Sequence, residues 1–142
     1  MPSASRTVVI KRPPSEVFAL IADETRSKDW RTGVLDIERL SGDGLRAVYR
    51  QGVRGPGGRR IAADFEITAY EPPRLLSFRT IAGPVRPTGE YRLADVADGT
   101  SLTFSLDARL NPLLGLLMGG AVQRSMDGEM AGLDRLKALL ER

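Results

Sequence analysis

Residues 111–142, NPLLGLLMGGAVQRSMDGEMAGLDRLKALLER, decide the fold. Val122, Met126, Met130, Leu133, Leu136 and Leu140 recur at steps of three and four, which places them on one face of a helix. Asn111 suits the N-cap and Pro112 the first helical position, while Lys137 and Arg142 lie near the negative end of the helix dipole. The second half of this helix is amphipathic. Its first part, PLLGLLMGGAV, is apolar on nearly every side and carries Gly115, Gly119 and Gly120, a pattern that packing against a core does not account for.

Upstream of the helix, residues 34–110 read as strands: 35–40, 45–53, 59–70, 75–82, 85–94 and 100–110. Their connections, SGDG, RGPGG, EPPR, AGP and VADG, are short and turn-rich. Short connections make consecutive strands antiparallel neighbours. Residues 7–12 form a further, β-branched strand that Pro13 and Pro14 end. Ser15 then caps a short helix, SEVFALIAD, burying Val17, Phe18, Leu20 and Ile21, and residues 23–30 form a second short helical or turn segment. The expectation is one α+β domain over 1–142. In it a curved seven-stranded antiparallel sheet wraps around the long C-terminal helix, with two short helices after the first strand.

The turns set registers that can be tested against one another. A five-residue loop at 54–58 pairs Val53 with Arg59 and sets Tyr49 against Ala63, Ala47 against Phe65, and Arg46 against Glu66. A one-residue slip would turn Arg46 and Arg50 onto the apolar face. The later turns set Ile67 against Phe78, Ala69 against Leu76, Phe78 against Gly89, Leu76 against Tyr91, Leu93 against Leu102 and Tyr91 against Phe104. All four turns agree on one inner face. It carries Leu45, Ala47, Tyr49, Gln51, Ile61, Ala63, Phe65, Ile67, Leu76, Phe78, Thr80, Gly89, Tyr91, Leu93, Leu102, Phe104, Leu106 and Ala108. The outer face is charged, as expected of an antiparallel sheet with one wet side.

Composition narrows the chemistry. With 21 basic and 18 acidic residues interspersed, the net charge of +3 is a solvated surface, without the basic stripe and interleaved aromatics of a nucleic-acid binder. No cysteine means no disulfide or thiolate chemistry; no histidine removes the commonest general base and metal ligand. No spacing of Asp and Glu reads as a metal site, and no serine has a histidine to activate it. RGPGGRR at 54–60 lacks the Lys-Ser/Thr ending and following helix of a phosphate loop and reads as a hairpin tip. Asp23 and Glu24 sit at a helix end, and Asp64 and Glu66 share the outer face, where arginines partner them. The N-terminus lacks the apolar core of a signal peptide, and the run 110–122 is too short to span a bilayer. A cytoplasmic protein with no stable membrane insertion, no cofactor and no metal is the expectation.

The order strand, two short helices, six strands and long C-terminal helix resembles the helix-grip fold of the START-like (SRPBCC) superfamily, and within it the polyketide cyclase/dehydrase and lipid-transport family. The residues that carry the likeness are VVIKRPPSEVFALIADETRSKDW, FEITAYEPPRLLSFRT, GEYRLADVADGTSLTF and the terminal LKALLER. The resemblance spans essentially the whole chain. It implies a cavity between sheet and helix and a hydrophobic ligand, in a family that includes both carriers and cyclases.

The inner face holds no lysine, arginine or carboxylate. Its polar groups are Tyr49, Gln51, Thr80 and Tyr91, with Trp30 at one end, and a mostly apolar cavity with a few convergent polar groups is the general form of a small-molecule pocket. The expected ligand-binding set is Trp30, Tyr49, Gln51, Phe65, Phe78, Thr80, Tyr91, Phe104, Met118, Val122 and Met126. The small residues Ala47, Ala63, Gly89 and Ala108 leave room for a ligand. Two functions follow: binding or carriage of a lipid, polyketide, sterol or quinone-like molecule, or cyclisation or dehydration of a polyketide or aromatic substrate with Tyr49 or Tyr91 as a weak acid. The absence of an inward carboxylate favours the first; a filled core without ligand is the plain alternative. The apolar segment Leu113–Val122 reads as a lid, a homodimer contact or a membrane-touching patch, the first two being favoured because no basic cluster accompanies it along the helix.

Overall fold

A computed structural model describes residues 2–142. The elements are β1 (Ser3–Ile10), α1 (Pro14–Ala22), a 3-10 helix (Glu24–Asp29), β2 (Val34–Ser41), β3 (Val48–Arg54), β4 (Arg60–Ala62), β5 (Phe65–Glu71), β6 (Leu75–Thr80), β7 (Thr88–Val96), β8 (Gly99–Asp107) and α2 (Pro112–Leu140). One antiparallel sheet runs β1-β8-β7-β6-β5-β3-β2, with β4 paired to the end of β3. Pro14 and Pro112 occupy first-turn positions, and the Asn111 side chain accepts the Leu114 N–H at 2.8 Å. Pro13, not Ser15, precedes the first helix, and no side chain caps it.

The pairings orient the sheet. The hairpin tip at 55–59, the 81–87 loop, the 108–111 connection and the start of α2 gather at one end, here the open end. The turns at 42–47, 72–74 and 97–98 lie at the other. From the open end α2 descends along edge strand β1. Gln123 bonds both the N–H and the carbonyl of Ser3, Asp134 binds Arg6 bidentately at 2.6 and 3.0 Å, and Lys137 donates to the Val9 carbonyl. The helix thereby covers an edge that would otherwise offer unpaired backbone.

Five expected registers hold: Ile67 faces Phe78, Phe78 faces Gly89, Leu76 faces Tyr91, Leu93 faces Leu102 and Tyr91 faces Phe104. Four expectations need correction. First, the 53–61 hairpin pairs Val53 with Ile61 and Tyr49 with Phe65, a slip of two that leaves every side chain on its expected face. Second, the single strand expected over 59–70 is two strands, making eight in all. At the break the Asp64 carboxylate, rather than a ladder carbonyl, takes the Gln51 N–H at 3.1 Å, so Asp64 serves the backbone and not an arginine. Third, a bulge between Ile67 and Ala69 sets Tyr70, not Ala69, against Leu76 and brings its ring edge-on to Phe18 of α1 at 5.5 Å. Fourth, Leu45 leaves the inner face altogether: it is 54% exposed in the turn before β3, where Arg46 takes a positive φ.

The core lies where α1 and the second half of α2 meet the concave face. Val17, Phe18, Leu20 and Ile21 of α1 are buried, as are Met126, Met130, Gly132, Leu133 and Leu136 of α2. Toward the open end the cover is incomplete. Ile61, Ala63, Phe78, Val85, Met118 and Val122 are each half-buried, and no residue of the first three turns of α2 is buried.

Candidate functional site

Five strands each supply one aromatic ring to a continuous band across the concave face. Tyr49 of β3 stacks on Phe65 of β5 at 5.0 Å between centroids, and Phe65 meets Phe78 of β6 at 5.6 Å. Phe78 meets Tyr91 of β7 at 6.5 Å, and Tyr91 stacks on Phe104 of β8 at 4.2 Å. Antiparallel register makes the band: Tyr49 and Phe65 are direct partners, as are Tyr91 and Phe104, and Thr80 opposes Phe65. Gly89 opposes Phe78, and a Cβ there would run into the Phe78 ring. The space above Gly89 is therefore occupied by Phe78 and is not the vacancy expected from a small residue.

Trp30 follows the 3-10 helix and meets Tyr91 edge-on at 6.4 Å. It is only 2% exposed. Its six-membered ring lies against α2, where a Cβ on Gly132 would sit 3.7 Å from Trp30 Cε3, so its N–H edge is turned away from the helix. That N–H is the one buried side-chain polar atom without a hydrogen-bond partner among the described residues. Buried donors are nearly always satisfied, so an orphan at the edge of an aromatic band is a sign of an absent acceptor.

A charged network adjoins it. Arg31 donates from Nε to Glu129 Oε2 at 2.9 Å, from Nη2 to Glu129 Oε1 at 3.2 Å and from Nη1 to Gln51 Oε1 at 2.9 Å. The Gln51 amide donates in turn to the Ala63 carbonyl at 3.1 Å. These bonds tie the 3-10 segment to α2 and to β3 across the concavity. Burial opposes the Arg31 charge, but Glu129 outweighs it and holds the guanidinium protonated. Glu24, 7% exposed, accepts from the Ser27 hydroxyl at 3.2 Å. Burial pushes its carboxyl up to about 7 against the opposing pull of Arg31. Burial likewise raises the phenols of Tyr91 and Tyr49, so both are neutral donors at any ordinary pH.

Sequence reasoning placed no charge inside, and this is the main correction. The strands do face inward without charge, but the 3-10 segment and α2 bring Glu24, Arg31 and Glu129 to the same space. Of these only Glu129 was legible: it lies three residues after Met126 and four before Leu133, on the face that α2 buries. The expected set otherwise falls into two groups. Trp30, Tyr49, Phe65, Tyr91, Phe104 and Met126 are buried together in the core cluster, with Phe78 packed against it and Gln51 and Thr80 buried on the same face. Met118 and Val122 sit half-buried toward the open end. On the side of α1, an open groove of about 810 Å³ bounded by Phe18, Ala22, Asp23, Arg39 and Tyr70 reaches the band at Tyr49.

The chemical capacity of this surface is specific. It offers an extended apolar floor, a buried indole N–H, a fixed guanidinium and a carboxyl that ionises near neutrality. An apolar molecule carrying an oxygen matches the first two, and Glu24 can give or take a proton at physiological pH.

The profile of a family described as polyketide cyclase / dehydrase and lipid transport matches residues 1–141. A search of curated proteins returned no match. Among solved structures, a protein of Thermus thermophilus is similar with a TM-score of 0.82 at 21% identity, covering 98% of this chain and 97% of that one. A START superfamily protein of Mycobacterium smegmatis gives 0.76 at 11% identity, covering 98% and 97%. The Zhui aromatase/cyclase of a Streptomyces species gives 0.74 at 18%, covering 99% and 93%. At these identities the structures establish the fold, which is the helix-grip architecture expected from the sequence.

Proposed function

We propose a function from one premise: the chain belongs to the polyketide cyclase/dehydrase and lipid-transport family. It binds a small, largely apolar molecule with an oxygen at one end. The apolar body lies on the aromatic band from Tyr49 to Phe104, with Met118 and Val122 over it, and the oxygen accepts the Trp30 N–H. The carrying observation is the Trp30 donor itself, buried and unpartnered beside Tyr91. Quinones, polyketides, sterols and oxygenated lipids share this chemistry. Native mass spectrometry of the chain purified from its own host, with organic extraction, tests the reading. A co-purifying oxygenated apolar molecule supports it. An empty chain that also ignores a panel of quinones, polyphenols, sterols and lipids rejects it.

One observation favours a second reading, a cyclase or dehydratase. Glu24, held near neutral pKa by burial and adjacent to Arg31, is the inward acid/base group whose absence argued for a carrier. In that case Glu24→Gln abolishes turnover of a polyketide-like substrate and leaves its binding within a few-fold. For a carrier, the same variant has no turnover to lose.

A further inference from the structure

The first three turns of α2 carry two different apolar faces. Met118 and Val122 are half-buried toward the concavity, whereas Leu113, Leu116 and Leu117 point away from it and are 66%, 84% and 72% exposed. At 100° per residue, Leu113, Leu117, Gly120 and Arg124 align on the outward side, with Leu116 beside them. A lid over the pocket accounts for Met118 and Val122 but leaves the three leucines in water. Exposed leucines clustered in this way mark a contact surface.

The fold places charge around them that the helix alone did not reveal. The open end gathers three segments, 54–60, 81–88 and 108–126, which contain six arginines and no carboxylate. Arg60 is taken by Asp36. Arg54, Arg59, Arg86, Arg109 and Arg124 form no ion pair among the described residues and are exposed. Around them, Asp64 is engaged by the Gln51 backbone and Asp36 by Arg60, while Asp107 and Asp127 are exposed carboxylates flanking these segments. The turns at the opposite end mix both signs, with Asp43, Glu71, Asp95 and Asp98 beside Arg46, Arg74, Lys11 and Arg12. Five arginines unpaired among the described residues thus share the end that carries the exposed leucines.

We infer that the open end docks on an anionic membrane surface, with Leu113, Leu116 and Leu117 entering the headgroup boundary and the surrounding arginines meeting lipid phosphates. A second copy of the chain fits less well, because a two-fold contact through these leucines would set the arginines of one copy against the same arginines of the other. Anionic lipid supplies the complementary charge, and a short amphipathic face with flanking arginines is suited to lying in the interface. Among the described residues, no helix is long and apolar enough to cross a membrane. This goes beyond ligand binding and is testable without knowing the ligand.

The full chain is mixed with vesicles of phosphatidylcholine alone or with phosphatidylglycerol added, and the bound fraction is measured by co-sedimentation. Binding is expected only with phosphatidylglycerol and weakens as salt rises. Arg109→Glu with Arg124→Glu lowers the partition coefficient by roughly 25-fold or more, at about fivefold for each arginine. Leu116→Ser with Leu117→Ser lowers it about tenfold or more. All four positions are exposed, so the variants keep the wild-type melting temperature, which is measured alongside. Failure of the wild type to bind phosphatidylglycerol vesicles at low salt overturns the inference. So does binding that neither pair of substitutions reduces, or a dimer in light scattering that the leucine substitutions dissolve while vesicles are ignored.

Discussion

Glu24→Gln is expected to reshape stability as a function of pH. The Glu24 carboxyl ionises near 7 in the folded chain and near 4.5 when exposed. Between those values the unfolded chain has already released the proton that the folded chain holds. The unfolded state therefore binds fewer protons, and stability falls as pH rises through this window. Below it both states are protonated and the group costs nothing. Above it the whole penalty is present, on the order of 3 kcal/mol from about 1.4 kcal/mol per pKa unit. Glutamine keeps an oxygen for the Ser27 hydroxyl and cannot ionise. The variant should lie within about 1 kcal/mol of the wild type at about pH 5 and exceed it by roughly 2–3 kcal/mol at about pH 8.5. Urea unfolding at both pH values, followed by fluorescence of Trp30, the only tryptophan, measures this directly. A stability difference that is the same at both pH values, or a variant weaker than the wild type in alkali, would show that Glu24 is not a strained buried acid.

Three further outcomes follow from the same geometry. Arg31→Met leaves Glu129 and Glu24 without their counter-charge and should cost about 2–4 kcal/mol, somewhat below the value for a fully buried pair because both partners keep some exposure. The loss should be smaller when Glu129 is also changed to Gln, which a double-mutant cycle in urea resolves. Gly89→Ala drives a methyl into the Phe78 ring and should cost about 1–3 kcal/mol in thermal or urea unfolding, recovered in part by Phe78→Leu; an unchanged midpoint would contradict the described packing. Trp30→Phe removes the orphan donor and should leave the ligand-free chain within about 1 kcal/mol of wild type, the lost packing being offset by relief of an unsatisfied N–H. Its affinity for an oxygenated ligand should fall about tenfold, as calorimetry would read.

Fold and site differed in how readily they could be read from sequence. Strand parity made the sheet legible: alternation marks the inner face at each position, and a slip of two in the 53–61 hairpin left it intact. Asn111 and Pro112 likewise marked the start of α2 by chemistry that few other positions tolerate. The bulge at Ile67–Ala69 was not legible, because it accompanies the contact of Tyr70 with Phe18, whose partners lie more than fifty residues apart in the chain. The aromatic band was visible, since its members alternate along strands. The charged half of the site was not. Glu24 and Arg31 lie in ETRSKDWR, a stretch without periodicity, and only the tertiary position of that segment against β2, Gln51 and Glu129 turns them inward. The positive patch was hidden for a related reason, its arginines being scattered over three segments that meet at one end of the sheet.

The most direct test of the central claim uses the single tryptophan. In a nitrogen-15 labelled chain, Trp30 gives one indole N–H correlation, and a panel of quinones, polyphenols, sterols and oxygenated lipids is titrated against it. The account predicts that a ligand which binds moves this signal downfield, as the buried donor gains an acceptor, with accompanying shifts at Tyr91. Saturable binding that leaves the Trp30 indole signal in place would contradict it.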